Sequence, residues 1–197
     1  MDFIYTNTNS LNTILCNKII TNFKEEEYNN NTYNGRTSNG VNAKIKLTKD
    51  FAITNDTNDE WKRIKIMLEN ELLYNMKSYV TQVNEMYESF DYKVVPQKTY
   101  FSVFQIQCYK ANEGLFVYHH DQEINVTNHR ILTYIWYLNT VEEGGETEVC
   151  VNLKIKPEQG KLLIFPASWT YPHRGIMPIS EDKYIITGWV YTDHPTK

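Results

Sequence analysis

Apolar side chains recur with a helical period in the first part of the chain. Residues 10–27, SLNTILCNKIITNFKEEE, place five apolar side chains on one helical face: Leu11, Ile14, Leu15, Ile19 and Phe23. Ser10 precedes them at the position of a helix N-cap, where a hydroxyl oxygen can accept from a free backbone amide. This pattern predicts a first amphipathic helix that packs one face against the rest of the protein.

A second helical pattern begins at TNDE, residues 57–60. Thr57 and Glu60 have the spacing of a capping box, in which each side chain bonds a free backbone amide of the first turn. Apolar side chains then follow at steps of three and four residues, which predicts a long helix. They are Trp61, Ile64, Leu68, Leu72, Met76, Tyr79 and Val83.

Residues 28–42, YNNNTYNGRTSNGVN, separate the two helical patterns and contain six Asn and two Gly. This composition favours a surface loop, which we take as a passive loop in preference to a lid over a site. The following KIKLTKDFAI is a candidate edge strand.

From about residue 98 the period of the apolar pattern changes to two. Five runs are rich in β-branched and aromatic residues: TYFSVFQIQCYK, RILTYIWYLNT, TEVCVNLKI, GKLLIFPA and KYIITGWVYTD. No helical pattern lies between these runs, so the strands follow one another directly. We therefore predict an α+β chain with an antiparallel sandwich or barrel in its C-terminal half. EEGGET is expected to form a turn between two strands, with solvated carboxylates and positive φ angles at its glycines.

Length and charge narrow the function classes. A chain of 197 residues with 41% hydrophobic residues is expected to form one domain. Its net charge of −4 argues against a nucleic-acid partner held by a basic face. Without a signal-like start or a long apolar run, we expect a soluble cytoplasmic protein with no membrane partner. The three cysteines are widely spaced and are expected to be small buried residues: Cys16, Cys108 and Cys150.

The stretch FVYHHDQE, residues 116–123, carries the first candidate chemistry. If it ends a strand, alternation places His119 and Asp121 on one face and His120 on the other. A third ligand would come from a distant part of the chain, and the remaining histidines are His129, His173 and His194. His173 lies between two predicted strands, so a neighbouring strand can bring it near. Two imidazoles and one carboxylate with open positions form the facial triad of non-haem Fe(II) oxygenases.

Lys183 supports this interpretation. It follows His173 by ten residues and begins a strand whose interior is otherwise apolar. A buried ammonium group requires an anionic partner, because an unpaired charge is costly to bury. An anionic co-substrate would supply that partner.

Four segments together resemble the 2-oxoglutarate and Fe(II)-dependent dioxygenases, specifically the prolyl 4-hydroxylase-like branch. They are YKANEGLFVYHHD, RILTYIWYLNTVEEGGETEV, IKPEQGKLLIFPASWTYPHRG and DKYIITGWV. The resemblance covers about residues 99–192. It implies a double-stranded β-helix, or jelly roll, in residues 98–192, and residues 1–97 are expected to give mainly helical support within the same single domain.

The resemblance also implies a role for each matching residue. His119, Asp121 and His173 match the iron ligands, and Lys183 matches the residue that pairs with the C5 carboxylate of 2-oxoglutarate. The other residues expected at the co-substrate are Tyr109, Tyr137 and Thr187. Trp189 and Arg174 are expected on the substrate side. No protein acid or base is expected beyond the metal centre.

The implied reaction is hydroxylation of a C–H bond with Fe(II), 2-oxoglutarate and O2, giving succinate and CO2, with ascorbate as a candidate reductant. A peptide or protein substrate hydroxylated at proline is favoured. A free amino acid, a nucleobase or a small metabolite remains an alternative substrate. A cupin-like isomerase or a non-catalytic metal-binding module remains an alternative function. Phe116 stands where many relatives carry Tyr, which leaves the prime substrate open. The sequence predicts no oligomeric state.

Overall fold

The computed structural model describes residues 3–86, 98–123 and 128–193. Within these ranges the chain forms two helices, α1 (Thr13–Tyr28) and α2 (Asp59–Glu85). Neither of them combines the length and the apolar character needed to cross a bilayer. His194, one of the histidines considered as a third ligand, lies outside the described residues.

Helix α1 begins two residues later than its sequence pattern predicted. The N-cap is Asn12, whose side-chain oxygen accepts from the Leu15 amide at 2.9 Å, so the prediction of Ser10 was wrong. Ser10 is instead buried below the helix and donates to a carboxylate of α2. Ile14 is 81% exposed, because the buried face runs through Cys16, Ile19 and Phe23.

Helix α2 also begins differently from its predicted capping box. Asn58 is the N-cap and accepts from the Trp61 amide at 3.0 Å. The Thr57 hydroxyl donates to a preceding backbone carbonyl, and Glu60 forms an ion pair with Lys18 of α1. The long apolar face was predicted correctly, since all seven of its residues are buried: Trp61, Ile64, Leu68, Leu72, Met76, Tyr79 and Val83.

The remaining regular structure consists of antiparallel strands. Those before residue 98 are β1 (Tyr5–Asn7), β2 (Tyr33–Asn34), β3 (Lys46–Leu47) and β4 (Lys49–Ile53). Those after it are β5 (Thr99–Phe101), β6 (Phe104–Tyr109), β7 (Leu115–His119), β8 (Asn128–Tyr137), β9 (Thr147–Val149), β10 (Leu153–Ile155), β11 (Leu162–Pro166), β12 (His173–Gly175) and β13 (Lys183–Asp193). Each of the five runs predicted from period two contains at least one of these strands.

The strands form two sheets. The larger sheet has the order β1-β11-β8-β13-β6-β4-β2, with β5 also paired to β13. The smaller sheet has the order β10-β9-β12-β7-β3. The segment predicted as an edge strand contributes β3 at an edge of the smaller sheet and β4 one place inside the larger sheet. The N-terminal part therefore supplies strands as well as helices.

The larger sheet is covered on both faces, which explains its many apolar residues. On one face, β8 contributes Tyr134 and Trp136 to a core shared with both helices. On the other face, Ile135 and Tyr137 join a smaller core with Val149 of the smaller sheet. Two facing antiparallel sheets with helices outside confirm the predicted α+β jelly roll.

Candidate metal centre and cavity

A cavity of about 930 Å³ lies between the two sheets. The larger sheet contributes inward-facing side chains of β6, β8 and β13, and the smaller sheet contributes those of β7 and β12. Residues 36–39, from the Asn-rich segment predicted as a passive loop, also line this cavity. His119, Asp121 and His173 all face the same space.

Strand pairing brings the two histidines together across 54 residues of sequence. His119 ends β7 and His173 begins β12, and the two residues are direct partners in the register of these antiparallel strands. Their ring centroids lie 4.2 Å apart. Asp121 follows β7 by two residues, and one ligand atom from each of the three side chains lies within 4.8 Å of the others.

Each imidazole is oriented by a backbone carbonyl. Nδ1 of His119 lies 2.8 Å from the Val117 carbonyl oxygen, and Nδ1 of His173 lies 3.2 Å from that of Tyr171. A carbonyl oxygen can only accept, so both Nδ1 atoms carry the proton and donate it. The two Nε2 atoms therefore present lone pairs beside Asp121, at 3.4 Å for His173 and 3.8 Å for His119. This tautomer with an outer carbonyl partner is the one that metal-binding histidines adopt.

Electrostatics keep Asp121 and His119 in the charge states that a metal ligand needs. Burial raises the pKa of Asp121, but the neighbouring His173, followed by His119 and the Thr133 hydroxyl, outweighs this effect and holds the pKa below its usual range. The Thr133 hydroxyl donates to Asp121 Oδ2 at 2.7 Å. Burial and the neighbouring His173 lower the pKa of His119 to about 4, although Asp121 opposes the shift. A carboxylate and a neutral imidazole result at neutral pH.

Two aromatic rings pack against the imidazoles and hold their orientation. Phe116 stacks on His119 with centroids 3.5 Å apart and planes 17° apart. Phe165 contacts His173 edge-on at 4.8 Å. Rings held in this way lose little additional freedom when they bind an ion. His120, by contrast, is exposed, as strand alternation predicted.

Lys183 is buried in the floor of the cavity and is 1% exposed. Its Nζ donates to the Gly145 carbonyl at 2.9 Å and lies 4.1 Å from the centroid of the Tyr109 ring. Gly144 and Gly145 have φ angles of 72° and 74°, the turn geometry that was predicted for EEGGET. No carboxylate forms an ion pair with Lys183 among the described residues. Burial lowers its pKa to about 7, with a smaller opposing effect of Glu146.

The hydroxyl groups expected near Lys183 differ in what they contact. Tyr109 lines the cavity and donates to Gln107 at 3.2 Å. Thr187 also lines it, but its hydroxyl donates to the backbone carbonyl of Tyr134. Tyr137 is fully buried and donates to Thr147 at 2.7 Å, so Thr147 is the hydroxyl that reaches the cavity.

At the mouth, two arginines stand beside aromatic rings. The Arg130 guanidinium lies 3.7 Å from the centroid of the Trp189 ring and pairs with Glu123. Arg174 pairs with Glu148 at 2.5 Å, and its guanidinium lies 4.8 Å from the Tyr118 ring centroid. Both cations are thus held in fixed positions by an acid and a ring.

Sequence reasoning missed several residues of this cavity. Thr133 orients Asp121, Gln107 bonds Tyr109, and Arg130 covers Trp189. Alternation offered a signal for two of them, because Thr133 shares a strand face with Tyr137, and Gln107 shares one with Tyr109. No comparable signal existed for Arg130.

Comparison with known proteins agrees with this geometry. Residues 104–191 match the family model described as the 2OG-Fe(II) oxygenase superfamily. Prolyl 4-hydroxylase 13 of Arabidopsis thaliana is 28% identical over 120 residues, which make up 47% of this chain. The aligned part spans 44% of that relative's length. The resemblance to the superfamily and to its prolyl 4-hydroxylases, inferred from the motifs, is confirmed over this part of the chain.

Solved structures show that the likeness in fold extends further. The viral collagen prolyl hydroxylase of Paramecium bursaria Chlorella virus-1, solved as a 2OG complex, has a TM-score of 0.69 at 18% identity and covers 96% of each chain. A prolyl hydroxylase of Trichoplax adhaerens, solved with a peptide fragment of the oxygen degradation domain of hypoxia inducible factor, has a TM-score of 0.75 at 18% identity. The match covers 97% of this chain and 84% of the Trichoplax adhaerens chain. A Pseudomonas putida prolyl-4-hydroxylase has a TM-score of 0.67 at 14% identity. The match covers 96% of this chain and 92% of that chain.

Proposed function

We propose that this protein is an Fe(II)- and 2-oxoglutarate-dependent dioxygenase that hydroxylates a peptidyl proline. One observation carries the proposal: His119, Asp121 and His173 converge in the same cavity as the buried, carboxylate-free Lys183. A cupin-like isomerase would need the metal ligands but would give no reason for a buried ammonium in the cavity floor.

The three candidate ligands fit Fe(II). Two imidazoles and one carboxylate form an N2O set without thiolate, which suits this ion and leaves coordination positions open. When bound, Fe(II) would supply the site at which 2-oxoglutarate and O2 react to give succinate, CO2 and the hydroxylated product. The backbone carbonyls of Val117 and Tyr171 accept from the two Nδ1 atoms and so hold the imidazole tautomers for that purpose.

The protein side chains then have positioning roles. Lys183 neutralises the distal carboxylate of 2-oxoglutarate, for which a compact ammonium suits the confined floor. Tyr109 and Thr187 line the same floor, and Tyr137 acts through Thr147. A preorganised pocket of this kind holds and orients the co-substrate without any protein acid or base.

A prolyl substrate is supported by the mouth of the cavity as well as by the relatives. Trp189 offers an aromatic face there, already held by Arg130, and Arg174 lies on the opposite sheet. Both residues line the cavity, so an extended chain that crossed it would meet side chains of both sheets. Proline-rich peptides are preorganised in an extended form, which lowers the ordering cost of binding.

The test is an assay of succinate formation with Fe(II), 2-oxoglutarate and ascorbate. The substrate panel contains proline peptides, free proline, other amino acids and nucleosides, and each product is examined for a mass gain of one oxygen. We expect the oxygen on a peptide proline, with activity lost in Asp121→Ala and retained in the matched control His120→Ala.

Three results would change the assignment. Oxygen found on a free amino acid or nucleoside alone would replace the prolyl substrate and keep the reaction class. Binding of 2-oxoglutarate without turnover of any substrate would favour a non-catalytic module. Absence of both Fe(II) and 2-oxoglutarate binding would overturn the proposed function.

A further inference from the structure

Four polar side chains form a continuous hydrogen-bonded row along one wall of the cavity. Gln105, Gln107 and Tyr109 alternate along β6 and all face the cavity, and Tyr33 of β2 lies at the far end. Tyr109 donates to Gln107 at 3.2 Å, Gln107 donates to Gln105 at 3.1 Å, and Gln105 donates to Tyr33 at 3.2 Å. We call these four residues the relay.

The chemistry of the relay requires all of its hydrogen bonds to run in the same direction. Each carboxamide presents one oxygen and one NH2 group, so a bond accepted on one side implies a bond donated on the other. In the structure every donor points from Tyr109 towards Tyr33. The Tyr109 hydroxyl therefore donates its single proton to Gln107, and it can only accept a hydrogen bond from a ligand.

A carboxylate beside Tyr109 requires the opposite direction. Ionised carboxylates accept hydrogen bonds and donate none, so Tyr109 can bond one only by withdrawing its proton from Gln107. If both carboxamides then rotate by about half a turn, Gln107 donates to Tyr109 and accepts from Gln105, and Gln105 accepts from the hydroxyl of Tyr33. Oxygen and NH2 are nearly isosteric, so the reversed row keeps all three bonds without moving the backbone.

We propose that the relay reverses its direction when 2-oxoglutarate binds, so that Gln105 and Gln107 act as positioning residues for the Tyr109 hydroxyl. The proposal rests on the proposed function, because it places the carboxylate next to Lys183 and Tyr109. Gln107 is 4% exposed, so water cannot easily replace its partners and the two carboxamides are constrained to turn together.

Reversal also carries the state of the co-substrate pocket along the larger sheet to its edge strand β2. Tyr33 lies in β2, and residues 36–39, which follow it, line the cavity. Co-substrate binding thus changes Tyr33 from an acceptor into a donor close to residues 36–39.

The first experiment prevents the relay from reversing by changing Gln105, which is not hydrogen-bonded to Tyr109. In Gln105→Glu the carboxylate only accepts, so Gln107 must keep its NH2 towards position 105 and its oxygen towards Tyr109. We expect 2-oxoglutarate affinity, measured by calorimetry with Mn(II) and no substrate, to fall by about tenfold or more. The matched control Gln105→Met removes the bonds but leaves Gln107 free to turn, so its loss of affinity is expected to be clearly smaller than that of Gln105→Glu.

Gln105→Glu also brings a negative charge near the anionic ligand, and salt screens repulsion between buried or partly buried charges only weakly. The loss of affinity is therefore interpreted together with a measurement that follows the Gln107 carboxamide itself.

A second measurement follows the two carboxamides directly and does not depend on a change in affinity. With diamagnetic Zn(II) at the metal site, the side-chain NH2 signals of Gln105 and Gln107 are followed by nuclear magnetic resonance, assigned by their loss in Gln105→Met and Gln107→Met. We expect 2-oxoglutarate to shift both signals in the wild type and to leave the Gln107 signal in place in Gln105→Glu.

The outcomes distinguish the relay from the function on which it rests. If 2-oxoglutarate binds equally well to wild type and Gln105→Glu, or binds without shifting the two NH2 signals, the relay is overturned and the proposed function stands. If wild type does not bind 2-oxoglutarate, both are overturned.

Discussion

Lys183 makes 2-oxoglutarate binding depend on pH in a direction that the structure fixes. Burial lowers its pKa from 10.5 to about 7 in the ligand-free protein. Pairing with a carboxylate requires the ammonium form and raises the pKa again, so binding above about pH 7 takes up a proton. At pH 8 about one tenth of the lysine is protonated, and affinity is expected to be about tenfold lower than at pH 6, or about 1.4 kcal/mol.

The same shift has a consequence for stability, and the sign follows from proton counts. Between about pH 7 and 10.5 the unfolded chain holds a proton on Lys183 that the ligand-free folded protein does not. The unfolded state therefore binds more protons, and the contribution of this group to the free energy of unfolding rises with pH. Saturation with 2-oxoglutarate should remove this dependence.

The assay is calorimetry of 2-oxoglutarate binding to the Mn(II) protein, between about pH 6 and 9, in buffers that differ in ionisation enthalpy. Wild type should take up close to one proton at pH 8. Lys183→Met should take up none and lose about 3–5 kcal/mol of affinity at pH 6, because the carboxylate loses its buried partner. Lys183→Arg should bind weakly and without pH dependence, since a guanidinium keeps its charge but fits the site poorly. Wild-type affinity that stays constant over this range without proton uptake would refute the reasoning.

Three further predictions concern the metal and the core. Asp121→Ala should abolish tight binding of Fe(II), while His120→Ala should retain it, because only Asp121 faces the two imidazoles; equal metal content by elemental analysis would contradict the ligand set. Leu68→Ala should cost about 2–5 kcal/mol in chemical denaturation, since Leu68 is fully buried, whereas Ile14→Ala, on the exposed side of α1, should stay within about 0.5 kcal/mol. Lys46→Met should lower the free energy of unfolding by about 3–5 kcal/mol, because it leaves the buried carboxylate of Asp50 without its partner. An unchanged melting temperature would argue against a stabilising role for this ion pair.

Local pattern determined the element types. Steps of three and four residues located both helices, and period two located the strands, because these periods reflect how side chains project from each backbone. The chosen N-caps were wrong because neighbouring polar residues compete for the same amide. Asn12 lies two residues after Ser10, and Asn58 directly follows Thr57, so a shift of the helix start exchanges one cap for another.

The candidate ligands could also be predicted from the sequence. His119 and Asp121 have the spacing of one strand face, and His173 lies in a segment that resembles the dioxygenase family. Their direct pairing across β7 and β12 depends on the register between strands that are far apart in sequence, which only the tertiary structure decides. The same holds for the stacking of Arg130 on Trp189 and for the contact of Gln105 with Tyr33. Local periodicity specifies which face a side chain occupies, whereas its partner is set by the long-range packing of the two sheets.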